Sequence, residues 1–336
     1  MMKSPITGKE MSLHKEVRTL TFRKEQFTVL YHYFHCGESG EQFTSTELDE
    51  INIHQLYNQY REKYHIPFPD EIKAIREKYS LSAVKMAEAL GFGVNMYRNY
   101  ESGEVPNESN GKLIRLAQET ESFQQIVKLS GTLDQKSKEK ILKTIDDLLI
   151  AEHHSVYTVD LHEYFFGSRI PDEFSGYKRP SLEKFAEMVI YFAEKVQPWK
   201  TKLNKLLFYA DFVYFRQTCF SMSGVRYRAI DMGPVPNNFN TIFDYLAERD
   251  DVDIYRTEFP NGSLGEQFKP NPKRSFKPEL FSEGELQALD MIVQKFAPAS
   301  TQDIIDISHK EKGWKENFER GKQLISYKYG FELETI

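Results

Sequence analysis

Cysteine is scarce in this chain: 336 residues hold two, Cys36 and Cys219. Two thiols cannot build a disulfide framework, and the usage fits a reducing compartment. No apolar run approaches the roughly 20 residues that a membrane-spanning helix needs. Met1–Glu10 lacks the apolar centre of a secretion signal, so a soluble, cytoplasmic protein is expected. A basic excess is missing too: the net charge is −6 and the pI near 5.9, which gives no global nucleic-acid footprint. There is no glycine-rich phosphate loop and no His-Glu-x-x-His helix, so two signatures of nucleotide and zinc-hydrolase chemistry are absent. The length leaves room for two or three domains with a sizeable core.

What is present is a stretch around which the N-terminal half is organised, Leu81–Gly103, LSAVKMAEALGFGVNMYRNYESG. Ser82 is a good N-cap, and Val84, Ala87 and Leu90 recur at helical spacing. Gly91-Phe92-Gly93 breaks the helix, because glycine tolerates left-handed backbone angles. A second helix over Val94–Glu101 would pack Met96, Tyr97 and Tyr100 and leave Asn95, Arg98 and Asn99 outward. The pattern predicts a helix-turn-helix whose second helix enters the DNA major groove. Asn95, Arg98, Asn99, Ser82 and Lys85 are its candidate DNA-binding residues; an asparagine suits bidentate pairing with adenine. Across Asp70–Thr120, however, seven basic side chains face eight acidic ones. Any DNA affinity there needs a local face or a dimer.

Before this stretch, Val17–Phe22 and Gln26–Cys36 are β-branched and aromatic, and Arg23-Lys24-Glu25 between them suggests a hairpin. Thr44–Tyr64 has helical spacing, and Pro67 and Pro69 close it off. After the stretch, Asn110–Leu129 reads as one amphipathic helix and Leu133–Ile150 as another. The apolar seam of the latter suits a domain cover equally with a two-fold interface. Glu152–Pro180 is rich in aromatics and too apolar for a flexible linker, so an ordered strap is expected.

The C-terminal half reads as mostly helical. Ser181–Val196 and Thr201–Phe215 carry apolar faces, with Leu203, Leu206, Leu207, Ala210 and Val213 facing inward. Gly224–Ile230 reads as a strand, Asp231–Pro236 as a turn and Asn237–Glu248 as a helix. Val252–Glu258 and Gly265–Lys269 suggest a hairpin. Ser282-Glu283-Gly284-Glu285 is a capping box, and Ser300 starts a further helix. Cys219, His309 and Asp231 offer a nucleophile, a base and an orienter on paper. No spacing ties them together, and a cysteine amid Phe215, Phe220 and Met222 reads as a small buried hydrophobe. The chain is therefore read as a non-enzyme.

Two resemblances sharpen this. EIKAIREKYSLS with AEALGFGVNMYRNYESG resembles the helix-turn-helix of MqsA-type antitoxins in the Cro/repressor-like group, although Asn99 stands where that subfamily places a basic residue. The module before it resembles the zinc-finger head of the same antitoxins, whose two Cys-x-x-Cys pairs form a closed tetrahedral site. Here the equivalent positions are Ser4, Thr7, Cys36 and Ser39. Three hydroxyls replace thiolates, and His32 and His35 point to opposite faces of a strand. The expectation is a finger that keeps its shape without a metal, and no cofactor.

KLNKLLFYADFVYF (Lys202–Phe215), YRAIDMGPVPNNF (Tyr227–Phe239) and ISHKEKGWKENF (Ile307–Phe318) resemble the Panacea, or SocA-like, domain. That resemblance implies an antitoxin that binds and silences a protein toxin. The expected toxin contacts are Tyr227, Arg228, Met232, Pro234, Asn237 and Asn238, since a rigid turn carrying aromatic, arginine and methionine side chains suits an interface core. The expected fold is α+β, mainly α. It comprises a β-rich head (1–66), a helix-turn-helix bundle (67–150), the strap (151–180) and a Panacea-like domain (181–336) with a small sheet. The expected partners are a cognate toxin, operator DNA and a second copy of the chain, with autoregulation of its own promoter. A ligand-sensing transcriptional regulator, or an adaptor delivering a toxin to a AAA+ protease, are the alternatives.

Overall fold

Arg23 and Lys24 both adopt left-handed backbone angles, φ 48° and 70°, and join the first two strands of the computed structural model. It describes residues 2–154, 161–168, 170–260, 262 and 264–336. Strands β1 (Ser12–Phe22), β2 (Glu25–His35) and β3 (Gln42–Phe43) form one sheet in that order. Helix α1 (Thr46–Tyr64) follows, then α2 (Pro69–Lys78), α3 (Ala83–Leu90) and α4 (Met96–Glu101). Next come α5 (Glu108–Leu116), α6 (Thr120–Leu129), α7 (Gln135–His154) and α8 (Leu161–Phe166). Helices α9 (Leu182–Val196) and α10 (Lys200–Thr218) lead into β4 (Tyr227–Ile230) and β5 (Gly233–Pro236). After α11 (Phe239–Glu248) the strands β6 (Val252–Glu258) and β7 (Leu264–Pro270) make a two-stranded sheet. Helices α12 (Glu283–Phe296), α13 (Thr301–Ser308) and α14 (Lys312–Glu319) precede β8 (Leu324–Ile325). The fold is α+β, mainly α.

Compactness groups the chain differently from the four expected segments. One unit comprises residues 1–16, 30–54 and 161–336, the other residues 17–29 and 55–160. The contacts within the first unit explain this. The Cys219 thiol donates to the carbonyl of Ile51 at 3.4 Å, and Lys15 Nζ donates to the carbonyl of Phe331 at 2.6 Å. The rings of His32 and Phe331 meet at 5.2 Å.

In the second unit, Met86, Ala87, Tyr97, Ile114, Phe123, Val127 and Ile145 are fully buried. Its buried phenols are satisfied: Tyr97 donates to the carbonyl of Ile72 at 2.7 Å and Tyr79 to that of Ala117 at 2.8 Å. The single helix expected over Asn110–Leu129 is two. Tyr79 takes the carbonyl of Ala117 and Lys78 Nζ that of Gln118, groups a continuous helix would have used internally. Arg61 is buried whole. It donates to the carbonyl of Gly103 at 2.6 Å, and burial pushes its guanidinium down to about 10.

In the first unit, two equivalent turns lie near the N-terminus. Ser4 N donates to Lys9 O and Gly8 N to Ser4 O; Cys36 N donates to Glu41 O and Gly40 N to Cys36 O. Gly8 and Gly40 close them at φ 71° and 72°. The Thr7 hydroxyl lies 3.5 Å from Cys36 Sγ. Hydrogen bonds from Ser39, Thr7 and Ser4 hold that thiol down to about 6.

Helix α10 is the axis of the same unit. Its sequence predicts one inward face, but the structure also buries Phe208, Phe212, Asn204, Lys205 and Asp211, because α9, α12, α13 and β5 pack around it. Asp211 carries the loop after the helix. It accepts from the amides of Met222 and Ser223 at 2.8 and 2.9 Å, and from the hydroxyls of Ser223 and Tyr227. Burial raises its pKa while these donors oppose the rise. The strap falls partly on residues 155–160 and 169, outside the described ones. Within the described part, Phe165, Phe166 and Tyr177 are buried.

Candidate functional site

The β4–β5 hairpin of the motif-bearing half is largely buried along its strands and exposed at its tip, Asp231 and Met232. Ile230 pairs with Gly233, Ala229 with Pro234, Arg228 with Val235 and Tyr227 with Pro236. The whole of Asp231–Pro236 was expected as a turn. Only Asp231 and Met232 make it, and Gly233–Pro236 is a strand, Pro234 and Pro236 included. Gly233 has φ 94°, and a Cβ there would lie 2.5 Å from both Lys205 Cε and Ser308 Oγ. Only glycine lets the hairpin settle so close to α10.

A polar seat lies beneath it. Lys205 Nζ donates to the carbonyl of Pro234 at 3.1 Å, and burial pushes this amine down to about 7. Trp314 Nε1 donates to the carbonyl of Ile230 at 2.9 Å. The Trp314 ring stacks on His309, with centroids 3.9 Å apart and planes 11° apart. Burial, then Lys205, lowers the His309 pKa, and its Nε2 has no hydrogen-bond partner among the described residues. Lys322 pairs with Asp231 at 2.5 Å, and Arg228 donates to the carbonyl of Lys322 at 2.9 Å. The tip is thus held from both sides.

The expected contact residues part company here. Met232 is 49% exposed, Asn238 is exposed, and Arg228 and Asn237 are half-buried. Tyr227 and Pro234 are inside. Tyr227 is fully buried, with its hydroxyl on Asp211 at 2.9 Å, because β4 alternates and this position faces α10. Pro234 is buried over Lys205. Neither presents a side chain at the surface. Lys205, Ser308 and Trp314, the seat itself, were not singled out as site residues; a lysine inside an apolar helical run was the available signal.

The nucleophile arrangement does not assemble among the described contacts. Cys219 is buried with its thiol on Ile51, whereas His309 stacks on Trp314 and Asp231 pairs with Lys322.

In the second unit, Ser82 caps α3 by accepting from Lys85 N at 3.2 Å, and Gly91 ends it at φ 71°. The side chain of Lys85 pairs with Glu88 at 2.7 Å and Asp134 at 3.4 Å, so it is engaged within its own unit. Helix α4 begins at Met96, with Tyr97 and Tyr100 buried and Asn95, Arg98 and Asn99 exposed. Met96, expected in the packing, is 36% exposed.

Among the described residues, no helix is long and apolar enough to cross a membrane. Neither a curated protein nor a solved structure matches the chain. Residues 203–315 match the family model of the antitoxin SocA-like, Panacea domain, which spans α10, the hairpin, its seat and the β6–β7 sheet. A SocA-like Panacea antitoxin domain is thus detected over this stretch, about a third of the chain.

Proposed function

We propose that the chain is the antitoxin of a toxin–antitoxin pair and neutralises its toxin by direct binding through the Panacea-like region. The match over residues 203–315 carries this reading. The hairpin supports it: Met232 stands at the tip of a turn whose backbone carbonyls are held by Lys205 and Trp314 and whose Asp231 side chain is paired by Lys322. The fixed hairpin backbone limits the entropy lost on binding, and the flexible Met232 side chain can adapt to an apolar partner surface. Arg228, Met232, Asn237 and Asn238 form the contact surface. Coexpression with the toxic gene beside it should restore growth and yield a stable complex on copurification. Growth arrest that persists despite full expression of this chain sinks the reading.

We further propose that the helix-turn-helix over α3 and α4 binds the chain's own promoter, as a dimer. The exposure of Asn95, Arg98 and Asn99 on one short helix supports it. Binding to the upstream region, measured by gel shift, tests it. A small-ligand sensor or a protease adaptor would instead leave the toxin active in a purified mixture.

A further inference from the structure

The sheet of β6 and β7 has one covered edge and one open one. Phe268 of β7 donates its amide to the carbonyl of Pro198 at 2.9 Å, and Trp199 bridges Gln267. The amide of Phe268 therefore points away from β6. In an antiparallel ladder such a residue and its partner form a non-hydrogen-bonded pair. Its partner is Ile254, and two positions on, Arg256 faces Glu266 in the same phase. The amides and carbonyls of Ile254 and Arg256 consequently point away from β7, off the sheet. Among the described residues no backbone group pairs with them.

That edge borders an open groove of about 660 Å³ between β6 and α11. Across the groove, Asp244 and Glu248 lie one helical turn apart on α11, both exposed. Asp253 lines it as well, and Arg256 is the cation there, 4.0 Å from Asp244. Three carboxylates against one guanidinium make the groove acidic. An unpaired strand edge usually invites pairing with any extended chain; here the flanking carboxylates repel acidic strands and favour basic ones.

We infer that the free edge of β6 takes up an extended, lysine- or arginine-rich segment of the toxin as an added strand, with Asp244 and Glu248 reading its charge. Main-chain hydrogen bonds to Ile254 and Arg256 supply the register, and the carboxylates supply the selectivity. This rests on the neutralisation reading and adds a second contact to the hairpin tip.

Three variants of the full chain test it by calorimetric titration with the toxin. Arg256→Pro removes an outward amide that β7 does not use and places a ring on the edge. It also removes a positive charge, which by charge alone would tighten a basic partner; Arg256→Ala isolates that effect. The expected result is at least tenfold weaker binding for Arg256→Pro, with Arg256→Ala unchanged or tighter. Asp244→Lys with Glu248→Lys, both at exposed positions, should weaken binding tenfold or more with the fold intact. Binding as in the unsubstituted chain by both the proline and the double variant overturns the inference and leaves neutralisation standing. If the unsubstituted chain binds no toxin, the neutralisation reading falls by itself. A synthetic (Lys-Val)4 peptide then decides for the edge: slowed hydrogen exchange at Ile254 and Arg256 upholds strand addition, and unchanged exchange overturns it.

Discussion

The amine of Lys205 lies 3.1 Å from the carbonyl oxygen of Pro234, and no carboxylate accompanies it among its hydrogen bonds. A lysine so placed is held by a single neutral acceptor inside an apolar helix bundle. Its charge is costly there, and the hairpin above it depends on that same carbonyl.

Stability should therefore depend on pH through this residue. Its amine titrates near 10.5 when unfolded and is pushed down to about 7 when folded. Between those values the unfolded chain binds more protons, so this contribution to stability rises with pH. Below about 7 both states are protonated and the full cost of the buried charge remains. Lys205→Met should raise the melting temperature at pH 6 and raise it less at pH 9. Equal shifts at the two pH values would refute this.

The hairpin tip should carry a large share of toxin affinity. Met232→Asp places a charge where an apolar anchor is expected, at a cost of about 2 kcal/mol, roughly 30-fold in affinity. The side chain is half exposed, so circular dichroism should show an unchanged fold. Unaltered affinity would remove Met232 from the interface.

Asn95→Ala with Arg98→Ala should abolish binding to the upstream region and leave toxin neutralisation intact, since both side chains are exposed and lie outside the Panacea-like region. Arg98→Ala alone should lower the slope of log affinity against log salt by about one if it neutralises a phosphate. A gel shift that survives the double substitution assigns DNA contact elsewhere.

Purified protein should carry no stoichiometric zinc, and EDTA should leave its melting temperature unchanged. The motive is the donor set: Ser4, Thr7 and Ser39 surround a single thiol, Cys36, and hydroxyls are poor zinc ligands. One zinc per chain by elemental analysis would overturn this. The same hydrogen bonds hold the Cys36 thiol below its ordinary value, and ultraviolet titration should place it near 6.

Much of the fold was legible where local chemistry decides it. Ser282 and Ser300 head capping boxes as their spacing implies, and the β6–β7 hairpin lies where alternation places it. Legibility failed where a distant side chain decides. The break after Leu116 depends on Tyr79 and Lys78 reaching across to carbonyls that local propensity assigns to a helix. Gly233–Pro236 looks like a turn because two prolines usually exclude a strand. It becomes one because β4 pairs on its other side with β8 and leaves β5 at the sheet margin. Tyr227 looked like a contact because aromatics near turns often are. Asp211, sixteen residues earlier, gives its hydroxyl an interior partner instead.

The membership of the first unit sets a schedule for synthesis. Its parts are residues 1–16, 30–54 and 161–336, with most of the other unit spelled out between them. The other unit, residues 17–29 and 55–160, is fully synthesised before residues 161–336 are made. The strand carrying Lys15 has to wait for Phe331, and Ile51 for Cys219. A nascent chain that has not yet reached Phe331 would hold the second unit complete and the first unit unfinished. Any delay in translation thus lengthens the interval in which the first unit lacks its later part.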